Sequence, residues 1–169
     1  YTHVERVGVE QRTHGAEVKT QDLGIGLLLA QQVEQQRSHH RAVYDQARAR
    51  AAKLWALARL ADDAHPYLQR KRIRGFGVRQ LNGALVVPAR DAAGVLHTLQ
   101  FIGADGGKRF LSGGRIAGCY YAMGRVGNEV LVCEGFATAA TVFMATGQAT
   151  AAAFNCVVEQ HIDAKMART

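Results

Sequence analysis

Few side chains in this sequence combine a reactive type with a suggestive position, and Glu134 is the clearest. It follows residues 129–133, an apolar run after one charged residue, and it precedes Gly135 and a helix-forming stretch, 136–146, closed by Gly147. A carboxylate at the carboxyl end of a strand can hold a divalent cation or act as general acid or base in phosphoryl transfer. Gly135 beside it lets a substrate or another backbone come close. The structural alternative is that Glu134 only complements the positive end of the helix that follows.

The second chemical feature is charge. The chain of 169 residues carries 21 Lys and Arg against 14 Asp and Glu. Eleven of the basic residues fall between Arg37 and Arg79, where the acidic ones are only Asp45, Asp62 and Asp63, so the excess is local. Such a segment suits a polyanionic partner or, more plainly, a solvated helix face. Within it Arg70, Lys71, Arg72 and Arg74 follow Tyr67 in a basic connector, residues 66–75. Some of these cations suit phosphate contact. Tyr67 can stack on a base or anchor the connector in the core, and the anchor is the expectation.

Other candidates fall away. His39 and His40 are adjacent, point to different sides of a helix and have no third ligand at zinc-site spacing. Gly107-Lys108 resembles the end of a phosphate-binding loop, but Arg109 stands where Ser or Thr is required; Gly124-Arg125-Val126-Gly127 lacks dinucleotide-fingerprint spacing. Both read as turns. Cys119, Cys133 and Cys156 form no metal-type pair, which points to reduced thiols and a cytoplasmic protein. No apolar stretch approaches the ~20 residues of a membrane span, so no membrane partner is expected.

The elements that must position these residues come next. Val43, Ala47, Ala51, Leu54, Ala58 and Ala61 recur at spacings of three and four, which predicts a helix over 41–61 ending near Asp62-Asp63 ahead of Pro66. Upstream, a strand around residues 4–9 and a helix over 27–36 are the only patterns, with no function attached. Residues 85–90 and 95–102 flank the turn 91–94 and should form an antiparallel hairpin. Glycine-marked turns then lead to strands at 108–111 and 117–122, a β-meander. The apolar run 129–133 predicts a strand buried on both faces of a parallel sheet, followed by the 136–146 helix and a strand at 149–154.

The segment Val130-Leu131-Val132-Cys133-Glu134-Gly135-Phe136-Ala137-Thr138-Ala139-Ala140 resembles the first motif of the Toprim domain in DNA primases of phages, plasmids and integrated elements. The resemblance continues upstream, in order, through residues 64–68, 85–91 and 99–111, and covers about residues 45–155. It implies a Mg²⁺-dependent nucleotidyltransferase that builds short RNA primers on single-stranded DNA, with DNA, nucleotides and a replicative helicase as partners. Glu134 would be the motif carboxylate and possible metal ligand, Gly135 and Thr138 would support it, and Lys108 and Arg109 with Arg70, Lys71, Arg72 and Arg74 would contact phosphates.

The departures from that family are equally specific. A lone carboxylate cannot hold Mg²⁺ for phosphoryl chemistry, and the expected Asp-x-Asp pair is missing from residues 156–165. No Cys-rich zinc module is present. The chain therefore reads as an α+β piece of a primase, interrupted within its catalytic domain and inactive by itself. It divides into an unassigned segment (1–40), a basic helix and connector (41–80), a β-meander (81–125) and the first βαβ unit of a Toprim-like domain (126–169). Two other readings stand beside it: a non-catalytic nucleic-acid-binding remnant of a mobile element, and an unrelated α/β protein. A sheet interrupted there should leave an open edge and be marginal or self-associating.

Overall fold

The computed structural model describes residues 14–125 and 127–154, with side chains described from residue 24. They fall into two units, one reaching to Arg41 and the other beginning at Ala42. Helix α1, His14–Leu57, supplies every described residue of the first unit. There Ile25, Leu27, Leu28, Leu29 and Val33 are all exposed, as are His39 and His40. The helix predicted at 27–36 lies inside α1; the strand expected around 4–9 lies outside the described residues.

The second unit opens with the rest of α1. Its alanine stripe packs as the spacing predicts, with Ala47 and Ala51 buried and Ala58, just past the helix end, buried with them. The helix nevertheless stops at Leu57, earlier than predicted, and Arg59–Leu60 pairs with a later strand as β1. The cause is long-range: the Arg79 guanidinium, stacked on Trp55, donates to the carbonyls of Trp55 at 2.6 Å and Ala58 at 3.4 Å, and so satisfies the helix end.

The connector 66–75 contains a short helix, α2, Pro66–Lys71. Proline suits its first position, and the His65 imidazole accepts the Tyr67 N–H at 3.2 Å. Tyr67 and Leu68 are buried, as the anchor reading of Tyr67 expects.

The strands are β2 (Arg79–Leu81), β3 (Ala84–Arg90), β4 (Leu96–Ile102), β5 (Lys108–Phe110), β6 (Tyr120–Met123), β7 (Leu131–Cys133) and β8 (Thr150–Ala153), with α3 (Phe136–Thr146) between the last two. The expected hairpin is β3–β4, antiparallel over its length. The β2–β3 hairpin was not predicted, although Asn82-Gly83, with φ of 48° and 77°, is a strong two-residue turn signal. β5 extends the meander, but β6 leaves it. It touches β3 at the pair Arg90↔Tyr120 and runs antiparallel to β8 over four residue pairs.

Pro88 lies at the branch. β2 pairs β3 through Val86 and β6 pairs it only at Arg90, so the proline, which has no N–H to give, occupies the stretch where that edge has no neighbour. The sheet is thus mixed and mostly antiparallel, in the order β1-β2-β3-β6-β8-β7 with β4 and β5 branching from β3; only β7 and β8 are parallel.

Two cores flank it. On one side Tyr67, Leu68 and Ile73 join Leu85, Val87, Ile102, Phe136, Ala139 and Ala152. On the other, Ala51 of α1 and Ala58 just past its end meet Val86, Leu99 and Leu111. The strand buried on both faces is therefore β3. The apolar run 129–133 is expected in that place, but β7 is the last of the described strands in the sheet and Val132 is 51% exposed. A continuous apolar run cannot by itself distinguish a central strand from a terminal one.

Candidate functional site at the β7–α3 junction

Glu134 stands between the end of β7 and the start of α3, at the carboxyl end of the parallel strand pair, and its side chain is exposed. It forms no ion pair or hydrogen bond with a described residue. Gly135 is the extended N-cap of α3, and no side chain caps the helix, so the first-turn N–H groups point outward without a side-chain partner. Thr138 is exposed in that same turn. Phe136, completely buried, fixes the helix on the core. Gly147, at φ 68°, closes it by donating its N–H to the Phe143 carbonyl.

The meander brings a cation to this junction. The Lys108 ammonium lies 3.8 Å from where a Cβ on Gly135 would be, so the lysine at the start of β5 meets the N-terminal end of α3. Phe110, two residues on and on the same strand face, packs edge-on against Phe154 just beyond β8. The turn before β5 is braced from α2: Arg70 donates to the Ala104 carbonyl at 2.8 Å and its guanidinium covers Gly106, whose φ of 94° suits glycine alone. Asp105 closes the same turn by accepting the Gly107 N–H.

The remaining cations are dispersed. Arg109 points to the opposite sheet face, over the Phe101 ring of β4 at 5.8 Å, so of this adjacent pair Lys108 is the one turned toward Gly135. Arg74 pairs with Asp63 at 3.1 Å, and the Gly75 N–H and this guanidinium hold the Asp63 carboxyl below the usual carboxylate range. Arg72, at φ 53°, closes α2, and Lys71 is exposed beside it. The one motif cysteine described, Cys133, is free, and burial pushes its thiol up.

Glu134 offers a single carboxylate. Among the described residues no three His, Cys, Asp or Glu side chains gather as a metal would need, so these residues do not form a Mg²⁺ site by themselves.

One polar cluster was missed from sequence. Asp91 accepts the N–H groups of Ala93 and Val95 at 3.0 Å each, and its other oxygen lies 2.7 Å from His97 Nε2 and 3.1 Å from Arg115 Nη2. The His97 hydrogen bond is the main cause that lowers the Asp91 carboxyl, with the two backbone bonds adding to it. The Asx turn at 91–95 was readable; Arg115, 24 residues away, had no local signal. The cluster ties the β3–β4 turn to the segment entering β6.

Comparison with known proteins points one way. The chain is 34% identical over 135 residues to a DNA primase TraC of Escherichia coli, an alignment covering 75% of this chain and 12% of that protein. A second DNA primase TraC of Escherichia coli is 38% identical over 98 residues, covering 53% of this chain and 7% of the relative. The similarity is to DNA primases. The chain spans about an eighth or less of the length of these curated relatives. No family model matches, and no solved structure matches. No helix among the described residues is long and apolar enough to cross a membrane.

Proposed function

We propose that this chain is part of a plasmid- or phage-type DNA primase, a cytoplasmic protein of Toprim kind that makes primers on single-stranded DNA. The observation that carries the reading is the meeting of an exposed carboxylate, an uncapped helix start and a lysine at one strand end. Glu134 serves there as general base or acid in nucleotidyl transfer, and Lys108 with the first-turn N–H groups of α3 receives a phosphate. The similarity to DNA primases supports the same reading. Mg²⁺ would require further carboxylates beside Glu134, such as an Asp-x-Asp strand in a longer protein.

The test compares this chain with a longer protein that carries such a strand. The chain alone is expected to bind single-stranded DNA weakly and salt-dependently and to make no primers; the longer protein is expected to make them and to lose that activity on Glu134→Gln. Primer synthesis that survives Glu134→Gln overturns the role of Glu134. DNA binding by the longer protein without any synthesis would favour a non-catalytic binding module.

A further inference from the structure

On the sheet face opposite Lys108, the strands β2 to β5 and the end of α1 border a recess of about 370 Å³, lined chiefly by Leu54, Leu81, Ala84, Phe101, Arg109 and Leu111. It shares Ala84, Phe101 and Arg109 with an adjoining recess of about 340 Å³ that runs to the edge of β5, where Asp105 and Lys108 line it. The walls are apolar except for Asn82, Ser112 and the Arg109 guanidinium, and no carboxylate lines the larger recess.

Among the described residues of the second unit three arginines lie over aromatic rings, and two are committed elsewhere. Arg70 is bonded to the Ala104 carbonyl beside the buried Tyr67, and Arg79 to the end of α1 beside Trp55. Arg109 differs. It pairs across strands with Phe101, lies over that ring, is exposed, and bonds to no described residue, so its in-plane donors are unspent. A guanidinium beside an aromatic face offers a π surface and a charge side by side.

We propose that this shelf takes an unstacked base of single-stranded nucleic acid, the base lying against Phe101 beside Arg109 and a neighbouring phosphate meeting the guanidinium. This rests on the nucleic-acid reading given above and adds a base-contacting place on the other side of the sheet. The occupant is single-stranded because a paired base cannot leave its duplex to enter a recess without losing its partner, and it is anionic because Arg109 makes no ion pair with a described residue.

The experiment measures fluorescence anisotropy with the whole chain, using an oligothymidylate and an abasic phosphodiester oligomer of equal length and charge. The wild-type chain is expected to bind the base-bearing oligomer roughly five- to hundred-fold tighter, the range of one stacked base. Phe101→Leu should erase most of that preference and leave abasic affinity unchanged. Arg109→Gln, on the surface and harmless to folding, should erase it too and reduce the salt slope by about one charge. Equal wild-type affinity for the two oligomers overturns the shelf while leaving the phosphate-binding reading standing. A preference that survives Arg109→Gln also overturns it. Absence of salt-dependent binding to either oligomer overturns both.

Discussion

Gly124 gives the sharpest stability test, because its substitution by alanine meets two separable penalties. Its φ is 80°, a left-handed conformation that costs a residue with a Cβ about 1–2 kcal/mol. A Cβ there would also lie 2.7 Å from Phe143 Cε2 and 3.3 Å from the Ala149 Cα. The first contact could be relieved only by moving the ring, yet Phe143 is wedged edge-on against Phe76, centroids 5.1 Å apart; the second is backbone. Overpacking of this kind adds about 1–3 kcal/mol. Gly118 is the control: at φ 71° it has nothing within 4 Å of its Cβ position. Gly118→Ala should therefore cost only the conformational term, and Gly124→Ala about 2–5 kcal/mol in total. Urea titration followed by circular dichroism reads both, with m held constant between variants. Losses equal to within about 0.5 kcal/mol would refute the packing of α3 beneath the β6–β7 connection.

Three further outcomes follow from the same structure. Tyr67→Phe should be neutral or stabilising by up to about 1 kcal/mol, since the buried hydroxyl has no partner among the described residues; a large loss in chemical denaturation would mean that it has one. Val132→Lys should change stability by no more than about 0.5 kcal/mol in the same assay, whereas a strand buried on both faces would lose several. Asp63 has a folded pKa below its ordinary value of 3.8, so its contribution is fully present above that pH and is lost as pH falls through the lowered value. Unfolding midpoints measured between pH 2 and 5 should fall less steeply for Asp63→Asn than for wild type; identical slopes would discount the Gly75 and Arg74 bonds.

Local patterns in the sequence were good guides wherever neighbours in the chain are also neighbours in space. The alanine stripe of α1, the 91–94 turn, the left-handed Gly147 and the strand–helix–strand at 131–153 were all legible for that reason. The end of α1 was not, because it is set by Arg79 from another strand. β6 was misread as a continuation of the meander, since its partner β8 comes 30 residues later. The run 129–133 reads as a strand buried on both faces because Val132 and Val86 look alike in a hydrophobicity pattern, although only Val86 is buried. At the site, the position of Glu134 could be reasoned from the strand-to-helix junction, but the arrival of Lys108 at Gly135 is a tertiary fact. Period-two alternation, applied to three residues of β5, would have separated Lys108 from Arg109.

The branch at Pro88 has a consequence for cooperativity. Only one ladder pair, Arg90↔Tyr120, connects β1–β5 with β6–β8, so the two blocks are joined mainly by the side chains of α2, α3 and the core they share. Backbone bonding would then divide into two protection classes in native-state hydrogen exchange, with β6, β7 and β8 opening together at lower free energy than β3 and β4. The strand end that presents Glu134 belongs to the block that detaches first. A ligand bound across Glu134 and Lys108 would bridge the blocks and merge the two classes into one.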